Sequence, residues 1–297
     1  MAERMLVTGS SGRLGRAVVA DLLEAGYDVV GADRVPPQAA PQGLRTVSWD
    51  GREVDTLAAA MLGCDGLIHL AAIPRPYRDP DEVVFRNNTG TTFAALRAAS
   101  QVGIIRAVIA SSGSAYGTAW SPKPTHVRYV PVDEDHPLLN HDPYGLSKEV
   151  DERTAEMFCR RDQMSVAALR FHWIATRDEQ LQRAADVRRH LLADDCDWPN
   201  QLRELWGYVD IRDAARACRL ALAAAKDRPY GFVPMNIVAA DALVEQPIAE
   251  LLAAHAPDIE IRRVLRPGAG AFAIDRAGDI IDWQPRHSWR DGDQDER

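Results

Sequence analysis

Short apolar runs and longer amphipathic runs alternate along the first two thirds of the chain. The apolar runs predict strands at residues 4–8, 28–32, 45–49, 66–71, 107–111 and 165–170. The amphipathic runs predict helices at residues 14–25, 54–62, 87–102 and 144–161. Repeated strand–helix units with short apolar strands predict an α/β fold, in which a parallel sheet is covered by helices on both faces.

The bulk composition is that of an ordinary globular protein. The chain has 297 residues, of which 46% are hydrophobic and 26% charged, and its net charge is −8. That acidic balance argues against nucleic-acid or membrane-surface binding, because both need a basic excess. The four cysteines form no CxxC pair, and the sequence contains no signal peptide or long apolar span. We therefore expect a cytoplasmic protein with free thiols and no metal site.

A glycine-rich turn, TGSSGRLG at residues 8–15, follows the first strand and opens the first helix. In this context Gly9 allows the tight turn, Gly12 lets the backbone approach a pyrophosphate, and Gly15 permits close helix–strand packing. The free N–H groups and the dipole at the helix start favour phosphate. The turn therefore predicts a Rossmann-type doubly wound sheet, and an ordinary glycine turn is the alternative. The predicted dinucleotide contacts here are Gly9, Ser11, Gly12, Arg13, Leu14 and Gly15.

The acid at the end of the second strand bears on the choice of cofactor. A carboxylate at Asp33 would accept hydrogen bonds from the adenosine ribose hydroxyls and repel a 2′-phosphate. Arg34 follows directly and could instead pair with that phosphate. NAD is therefore favoured and NADP stays open, with a solvated Asp–Arg pair as the alternative to either. Asp50 and Gly51, after the third strand, are either adenine contacts or a plain turn.

Tyr144 and Lys148 form a YxxxK pair, YGLSK, on the last of the predicted helices. Residues four apart share one face of a helix, so the ammonium lies beside the phenol. A phenol ordinarily loses its proton near pH ~10, and a neighbouring positive charge favours the phenolate. Tyr144 can then accept a proton from an alcohol, or donate one to a ketone, while a hydride moves. We predict that this pair is catalytic and also contacts the cofactor.

A serine-rich segment, SSGSAYG, ends the fifth predicted strand. A hydroxyl at this position can hydrogen-bond the reacting oxygen and align it. Ser111, Ser112 and Ser114 are all candidates, and the residues alone leave the choice open. Serines also end strands for capping reasons.

Together these motifs resemble those of extended-type short-chain dehydrogenases/reductases, the group that contains nucleotide-sugar epimerases, dehydratases and uronate dehydrogenases. The resemblance covers nearly the whole chain, including HLAA at 69–72, NNTGT at 87–91, and FAID and DWQP near the C-terminus. It implies that Ser112 is the catalytic serine beside Tyr144 and Lys148. It also implies cofactor contacts at Leu70, Ala71, Ala72 and Asn87, the last at a helix start.

The resemblance also suggests how the chain divides. The stretch WGYVDIRD, at 206–213, is similar to one that returns the family's chain to the cofactor domain. We therefore assign residues 1–170, and about 207–228, to a dinucleotide-binding domain. Residues 171–206 and 229–297 form a small C-terminal substrate-covering part. Its last residues, 291–297, form a polar tail that we expect to be frayed.

One segment departs from the family pattern. Where sugar-nucleotide enzymes usually read LRPxNxYGP, residues 169–176 read LRFHWIAT, which puts a nucleoside-diphosphate sugar substrate in doubt. His172 contacts cofactor or substrate here, or is simply packed. The candidate substrate contacts are Ser114, His172, Trp173, Trp198 and Trp206.

Two helical runs follow this segment, at 178–193 and 198–206. The first has a mostly one-sided apolar face, and the second carries Trp198, Leu202, Leu205 and Trp206. We predict a two-helix lid over the active site at 178–206, with ordinary core packing as the alternative. A tryptophan-bearing lid suits a flat or hydrophobic ketone, whereas the arginines in this stretch would suit an anion.

The leading functional prediction is an NAD(P)-dependent oxidoreductase that interconverts a ketone and a secondary alcohol, with Tyr144 as general acid/base. Its small-molecule substrate is a sugar or uronic acid, or a polycyclic natural-product ketone. The runner-up is a nucleotide-sugar epimerase with tightly bound NAD. A dehydratase ranks lower because residues 112–114 lack the acid pair typical of that branch.

A cofactor-sensing binding protein without turnover is the alternative of another class. Intact Ser112, Tyr144 and Lys148 count against it. Many enzymes of this type form dimers through two long helices, and the predicted helices at 87–102 and 144–161 would give this chain a homodimer in the same way.

Overall fold

The computed structural model describes residues 2–37 and 40–291, so residues 292–297 of the predicted tail at 291–297 lie outside the described residues. The strands are β1 (Arg4–Thr8), β2 (Asp28–Asp33), β3 (Leu44–Ser48), β4 (Gly66–His69), β5 (Arg106–Ser112), β6 (Tyr129–Val130), β7 (Ser165–Phe171), β8 (Trp173–Ala175), β9 (Tyr208–Asp210), β10 (Phe232–Ile237) and β11 (Glu260–Ile261). The α-helices are α1 (Arg13–Glu24), α2 (Val54–Met61), α3 (Asp81–Gln101), α4 (Pro143–Asp162), α5 (Arg177–Leu191), α6 (Trp198–Gln201), α7 (Ile211–Asp227), α8 (Ile248–His255) and α9 (Asp275–Ile281).

Seven of the strands form one parallel sheet in the order β3-β2-β1-β4-β5-β7-β10. The chain order runs outward in opposite directions from β1 and β4, which leaves a crevice at the carboxyl ends of these two strands. The predicted α/β, Rossmann-type doubly wound fold is confirmed. β10 pairs with β7 inside this sheet, so the range 229–297 supplies the sheet with an edge strand and is not all substrate cover.

Apolar side chains fill both faces of the sheet. One face packs against α1, α7 and α9 and includes Val18 and Ile281. The other packs against α2, α3 and α4 and includes Leu57, Leu96 and Phe158. Each such side chain contributes about 1.5–3 kcal/mol relative to leaving it exposed. These two layers hold the carboxyl ends of the strands at fixed positions around the crevice.

α3 begins earlier than predicted. Pro80 is its N-cap, and Asp81 and Glu82 lie in the first turn, where the helix dipole favours negative charge. The NNTGT segment therefore lies inside the helix, and the expectation that Asn87 starts it is wrong. A Cβ added at Gly90 would meet no atom within 4 Å, so packing does not require glycine at this position of the helix.

A third apolar cluster lies in the substrate-covering part. Val187 of α5 packs there with Leu202, Leu205, Trp206 and Leu251 of α8. α6 is one turn long, and positive φ angles at Leu205 (48°) and Trp206 (54°) prevent the second predicted helix from reaching residue 206. The apolar side chains that were predicted to form the underside of a lid are therefore buried in the core of this part.

Candidate active site

A cavity of about 510 Å³ opens at the carboxyl ends of β1, β4 and β5, where the crevice in the sheet lies. It runs from the glycine-rich turn to the start of α4. Its walls are Gly9, Gly12, Arg13, Leu14, Gly15, Leu70, Ala72, Pro74, Ala110, Ser111, Ser112, Gly113, Ser114, Trp120, Tyr144, Lys148, Phe171, His172, Trp173, Ile174 and Glu204. Residues that are far apart in the sequence therefore meet in one cavity.

The glycine-rich turn fits a dinucleotide. Gly9 has φ +68°, and a Cβ there would lie 2.8 Å from the backbone nitrogen of Ala71. A Cβ on Gly15 would overlap the carbonyl oxygen of Gly9, so both glycines are required by close backbone packing. Gly12 is the N-cap of α1 and supplies no side-chain cap, which leaves the first N–H groups of the helix free for phosphate. Ser11 Oγ is buried without a partner among the described residues.

Arg13 lines the cavity beside this turn and forms an ion pair with Glu179 of α5. The contact links the phosphate-binding turn to the first helix of the substrate-covering part. Both side chains are more than a third exposed, so the pair itself contributes little to stability.

Asp33 closes the turn from the end of β2. One carboxylate oxygen accepts a hydrogen bond from the backbone N–H of Ser11 (3.0 Å), and the other accepts one from Val35 (3.3 Å). Arg34 is exposed beside it. Asp50 caps its own turn by accepting a hydrogen bond from the backbone N–H of Arg52 (3.0 Å). Gly51 has φ +94° and lies close to Thr91. Neither residue is among the cavity walls, and the prediction that this pair contacts adenine stays a prediction.

The end of β4 is fixed by a buried hydrogen-bond chain that the sequence did not reveal. His69 Nδ1 lies 2.8 Å from Thr8 Oγ1, and its Nε2 lies 3.2 Å from Thr92 Oγ1. Thr8 Oγ1 also accepts hydrogen bonds from the backbone N–H groups of Leu70 and Ala71. Burial lowers the pKa of His69 to about 3, so the ring is neutral. These hydrogen bonds hold the loop after β4, in which Leu70 and Ala72 line the cavity and Ala71 packs against Gly9.

Asn87 is not among the cavity walls. Its side-chain amide donates a hydrogen bond to Asn88 Oδ1 (3.1 Å), and the contacts with neighbouring elements are made by Asn88. Asn88 is fully buried, exchanges hydrogen bonds with the backbone of Ile73, and donates to Ser147 Oγ on α4 (3.1 Å). The asparagine pair therefore joins the loop after β4 to the helix that carries Tyr144.

Tyr144 and Lys148 lie on one face of α4, as predicted. The helix begins at Pro143, and the side chain of Asp142 caps it by accepting a hydrogen bond from Gly145 N–H (2.8 Å). Lys148 Nζ lies 5.7 Å from the centroid of the Tyr144 ring and donates to the carbonyl oxygen of Ala110 (2.8 Å). Both side chains are buried at the cavity wall.

The hydrogen bonds set Ser111 apart from the other two candidate serines. Ser111 Oγ donates to Glu152 (2.6 Å), which is part of a buried ion pair. Ser114 Oγ accepts a hydrogen bond from Trp120 Nε1 (3.2 Å). Ser112 Oγ accepts one from the N–H of Ser114 (3.1 Å), and its own proton is not donated to any described residue. Ser112 and Ser114 both line the cavity, and neither donates its hydroxyl proton to a described residue, so the choice of Ser112 stays a prediction from the resemblance.

His172 is packed against the cavity wall. Its ring centroid lies 3.9 Å from that of Phe272, and the glycines at 113 and 207 leave room for it on two sides. Burial lowers the pKa of His172 to about 3, and Nε2 has no hydrogen-bond partner among the described residues. The ring is therefore a neutral wall of the cavity.

Three of the candidate aromatic residues have different surroundings. Trp173 is 37% exposed and lines the cavity. Trp198 stacks on His255, with ring centroids 3.4 Å apart, and is not a cavity wall. Trp206 is buried and lines a neighbouring cavity instead. Both side chains pack into the third apolar cluster, and the prediction that Trp198 and Trp206 contact substrate stays a prediction.

The neighbouring cavity, of about 500 Å³, adjoins the first and shares Trp120, Trp173 and Glu204 with it. The Glu204 carboxylate makes no hydrogen bond or ion pair with a described residue. Glu204 is exposed and lies among the walls of both cavities. Desolvation by the surrounding walls raises the pKa of Glu204, against the opposing attraction of Arg183 and Arg203. Sequence reasoning missed Glu204, since no local motif marks this residue.

Within residues 2–37 and 40–291, no group of three or more His, Cys, Asp or Glu side chains is arranged to hold a metal ion. No helix in the same ranges is both long enough and apolar enough to cross a membrane.

The fold and the cavity define an extended-type short-chain dehydrogenase/reductase, an enzyme of the NAD(P)-dependent class. Residues 5–237 match the family model described as the NAD dependent epimerase/dehydratase family, and the chain belongs to that family. This agrees with the family, the enzyme class and the cofactor expected from the motifs.

Two curated relatives illustrate the range of activities in the family. The chain is 30% identical over 198 residues to L-arabinose 1-dehydrogenase (NAD(P)(+)) from Haloferax volcanii, a match covering 64% of this chain and 76% of that protein. It is 29% identical over 317 residues to UDP-glucose 4-epimerase from Lacticaseibacillus casei, covering 95% of this chain and 91% of that one. A crystal structure of a short-chain dehydrogenase/reductase superfamily protein from Agrobacterium tumefaciens with bound NAD is 27% identical, with a TM-score of 0.68, and covers 97% of this chain and 94% of that chain.

Proposed function

We propose that this chain is a dehydrogenase that uses NAD to oxidise an alcohol carbon of a sugar, or to reduce the corresponding carbonyl. Ser112, Tyr144 and Lys148 would carry the reaction. The observation that carries the proposal is the single cavity shared by the glycine-rich turn and these three side chains. A nicotinamide bound there supplies the hydride acceptor or donor.

Tyr144 acts as the general acid/base in this proposal. Its phenol oxygen takes the proton of the substrate hydroxyl during oxidation and returns it during reduction. The Lys148 ammonium, close to the same ring, favours the phenolate that accepts this proton. Ser112 donates a hydrogen bond to the reacting oxygen, since its hydroxyl proton has no other described acceptor.

Asp33 favours NAD over NADP. Its carboxylate is fixed by the N–H groups of Ser11 and Val35 at the end of β2, where the ribose hydroxyls of a bound adenosine would be recognised. A 2′-phosphate at that point would be repelled by the same carboxylate. Arg34 is adjacent and exposed, so it is the residue through which NADP would be tolerated.

The cavity walls beyond the catalytic side chains suit a sugar ring without a nucleotide. Trp120 and Trp173 offer aromatic surface to the C–H groups of a sugar, and the Glu204 carboxylate is free to accept hydrogen bonds from its hydroxyls. A polycyclic hydrocarbon-like ketone is disfavoured, because it would displace water from this carboxylate without replacing the lost hydrogen bonds. It also disfavours a substrate anion, such as a diphosphate or a uronate carboxylate, lying directly beside it.

A nucleotide-sugar epimerase is the second candidate. It is favoured by the similarity to the Lacticaseibacillus casei enzyme, which extends over 95% of this chain. Against it stand Phe171 and Trp173, which occupy the positions of the family's proline and asparagine, and Glu204, which lines both cavities.

The test is a cofactor balance. Purified protein is incubated with NAD or NADP and with neutral aldoses, uronates or UDP-sugars, while NADH or NADPH formation and sugar products are measured. Net NADH formation with a neutral aldose supports the proposal. Interconversion of UDP-sugars without net NADH formation supports the epimerase and overturns it. NAD binding with no turnover of any sugar would indicate the non-catalytic binding protein.

Two variants separate catalysis from recognition. Tyr144→Phe should lower the rate of the chemical step ~10²–10⁴-fold while NAD binding stays intact. Glu204→Gln keeps the shape but removes the charge, and it should raise KM for a neutral aldose roughly 10-fold or more with a smaller effect on kcat. An unchanged KM would remove Glu204 from substrate recognition.

A further inference from the structure

Lys148 has a second buried partner that the YxxxK motif does not include. Asp151 lies one turn further along α4, and its Oδ2 is 3.5 Å from Lys148 Nζ. The two side chains are 5% and 1% exposed. The other carboxylate oxygen, Oδ1, is buried without a partner among the described residues. The Asp151 carboxylate therefore contacts the Lys148 ammonium in the protein interior, shielded from solvent.

The groups that face Asp151 from the neighbouring elements leave Lys148 as the cation nearest to it. Thr92 of α3 donates a hydrogen bond to it. His69 of β4 accompanies Thr92 but is neutral, because burial keeps the pKa of His69 low. Glu152, the next residue on α4, is paired with Arg170 through two hydrogen bonds and adds only a weak repulsion.

A negative charge this close to an ammonium changes what the ammonium does to its other neighbour. Lys148 favours the phenolate of Tyr144 through its positive charge, and an ionised Asp151 offsets part of that charge. Removing the carboxylate charge would let the full field of the ammonium reach the phenol. A carboxylate and a phenolate about 10 Å apart, at an effective dielectric constant of about 20, repel each other enough to move the titration of the phenol by about one pH unit.

We propose that Asp151 is a positioning residue that holds the Lys148 ammonium and sets the pH range over which Tyr144 works as a base. The proposal rests on the proposed catalytic role of Tyr144 and Lys148.

Burial also makes Asp151 itself sensitive to pH in the working range. Desolvation raises the pKa of Asp151 to about 6, against the attraction of Lys148 and the hydrogen bond from Thr92. The carboxylate therefore gains its charge as the pH rises through about 6. Above that pH it offsets the ammonium, and below that pH the ammonium acts on Tyr144 unopposed.

The test compares Asp151→Asn with two matched variants across a range of pH. The acid limb of the kcat/KM profile for alcohol oxidation should move to lower pH by about one unit in Asp151→Asn. Asp151→Glu keeps the charge and should retain the wild-type profile. Glu156→Gln removes a charge from the exposed side of the same helix, where Glu156 pairs with Arg153 and Arg160, and should also leave the profile unmoved. A merely structural role for Asp151 would lower activity without shifting the limb.

A second readout does not depend on turnover. The ultraviolet absorbance of the Tyr144 phenolate is titrated in the NAD complex, with Tyr144→Phe as the baseline, for the wild type and for Asp151→Asn. A midpoint that moves to lower pH supports the proposal even when no substrate is turned over, which would count against the proposed function alone. If Asp151→Asn does not fold, Thr92→Val removes a donor to Asp151 and should give a smaller shift in the same direction. Unmoved midpoints in the variants that fold would overturn the proposal.

Discussion

Gly113 packs directly against the ring of His172 at the wall of the active-site cavity. A Cβ built on Gly113 would lie 2.6 Å from Cε1, 2.8 Å from Nε2 and 3.0 Å from Nδ1 of that ring, all well inside ordinary van der Waals contact. Phe272 limits the movement of this ring, because the two ring centroids are 3.9 Å apart. Gly113→Ala must therefore move either the ring or the segment that carries Ser112.

The size of the effect follows from that crowding. Inserting a methyl group into a packed wall costs ~1–3 kcal/mol in the free energy of unfolding. A displacement of about 1 Å at Ser112 should lower kcat/KM roughly 10²-fold, because the reacting groups lose their alignment. We expect Gly113→Ala to show both losses.

Urea unfolding and steady-state kinetics on the same preparations measure these two quantities. Gly90→Ala is the matched control: it lies in α3 with nothing within 4 Å of its added Cβ, and should raise the free energy of unfolding by roughly 0.5–1 kcal/mol without changing kcat/KM. The double variant Gly113→Ala/His172→Ala removes the ring that the methyl group strikes, so its stability loss should be less than the sum of the two single losses. Wild-type stability and kcat/KM in Gly113→Ala would refute the packing argument.

Three further predictions concern the cofactor site and the buried histidines. Gly15→Ala should raise the Kd for NAD at least ~10-fold, since its Cβ would overlap the carbonyl oxygen of Gly9; isothermal titration measures it, and an unchanged Kd would contradict this account of the turn. Asp33→Ala should lower the preference for NAD over NADP by roughly 10-fold in kcat/KM, because the repelling charge is gone; an unaltered ratio would exclude Asp33 from that choice. Burial lowers the pKa of both His69 and His172 from 6.5 to about 3, so the unfolded chain binds more protons below pH 6.5 and stability falls as the pH falls. Each histidine should account for up to about 2 kcal/mol of lost unfolding free energy by pH 5, and His172→Gln should flatten this dependence in urea unfolding; an equally steep loss in that variant would show that His172 does not contribute.

Features that depend on local spacing were predictable from the sequence. The GxxGxxG turn and the YxxxK pair each place their side chains through one turn or one helix, and both lie at the cavity. Strand positions were predictable because a strand buried on both faces needs a continuous apolar run. The choice of Ser112 among three serines needed the resemblance; the hydrogen bonds set aside only Ser111, whose proton is donated to Glu152.

Features that depend on tertiary packing were not predictable. The apolar pattern around Trp198 and Trp206 identified buried side chains, but periodicity does not tell which surface they bury against. In the sequence Asp151 is one of several charges on a helix, and only the packed structure shows that it is buried beside Lys148. Glu204 comes from a short irregular stretch, and its place in the cavity depends on the packing of α5 and α6. The predicted homodimer stays a prediction.

The third apolar cluster has a consequence for how such enzymes diversify. Much of the chain that bounds the neighbouring cavity is anchored in this cluster and not in the two layers that clamp the sheet. Recombination near the ends of β7 and β9 could therefore exchange the intervening segment for one from another family member while the nucleotide scaffold stays intact. Such an exchange would change walls of the neighbouring cavity and leave Ser112, Tyr144 and Lys148, the residues of the proposed hydride chemistry, in the scaffold.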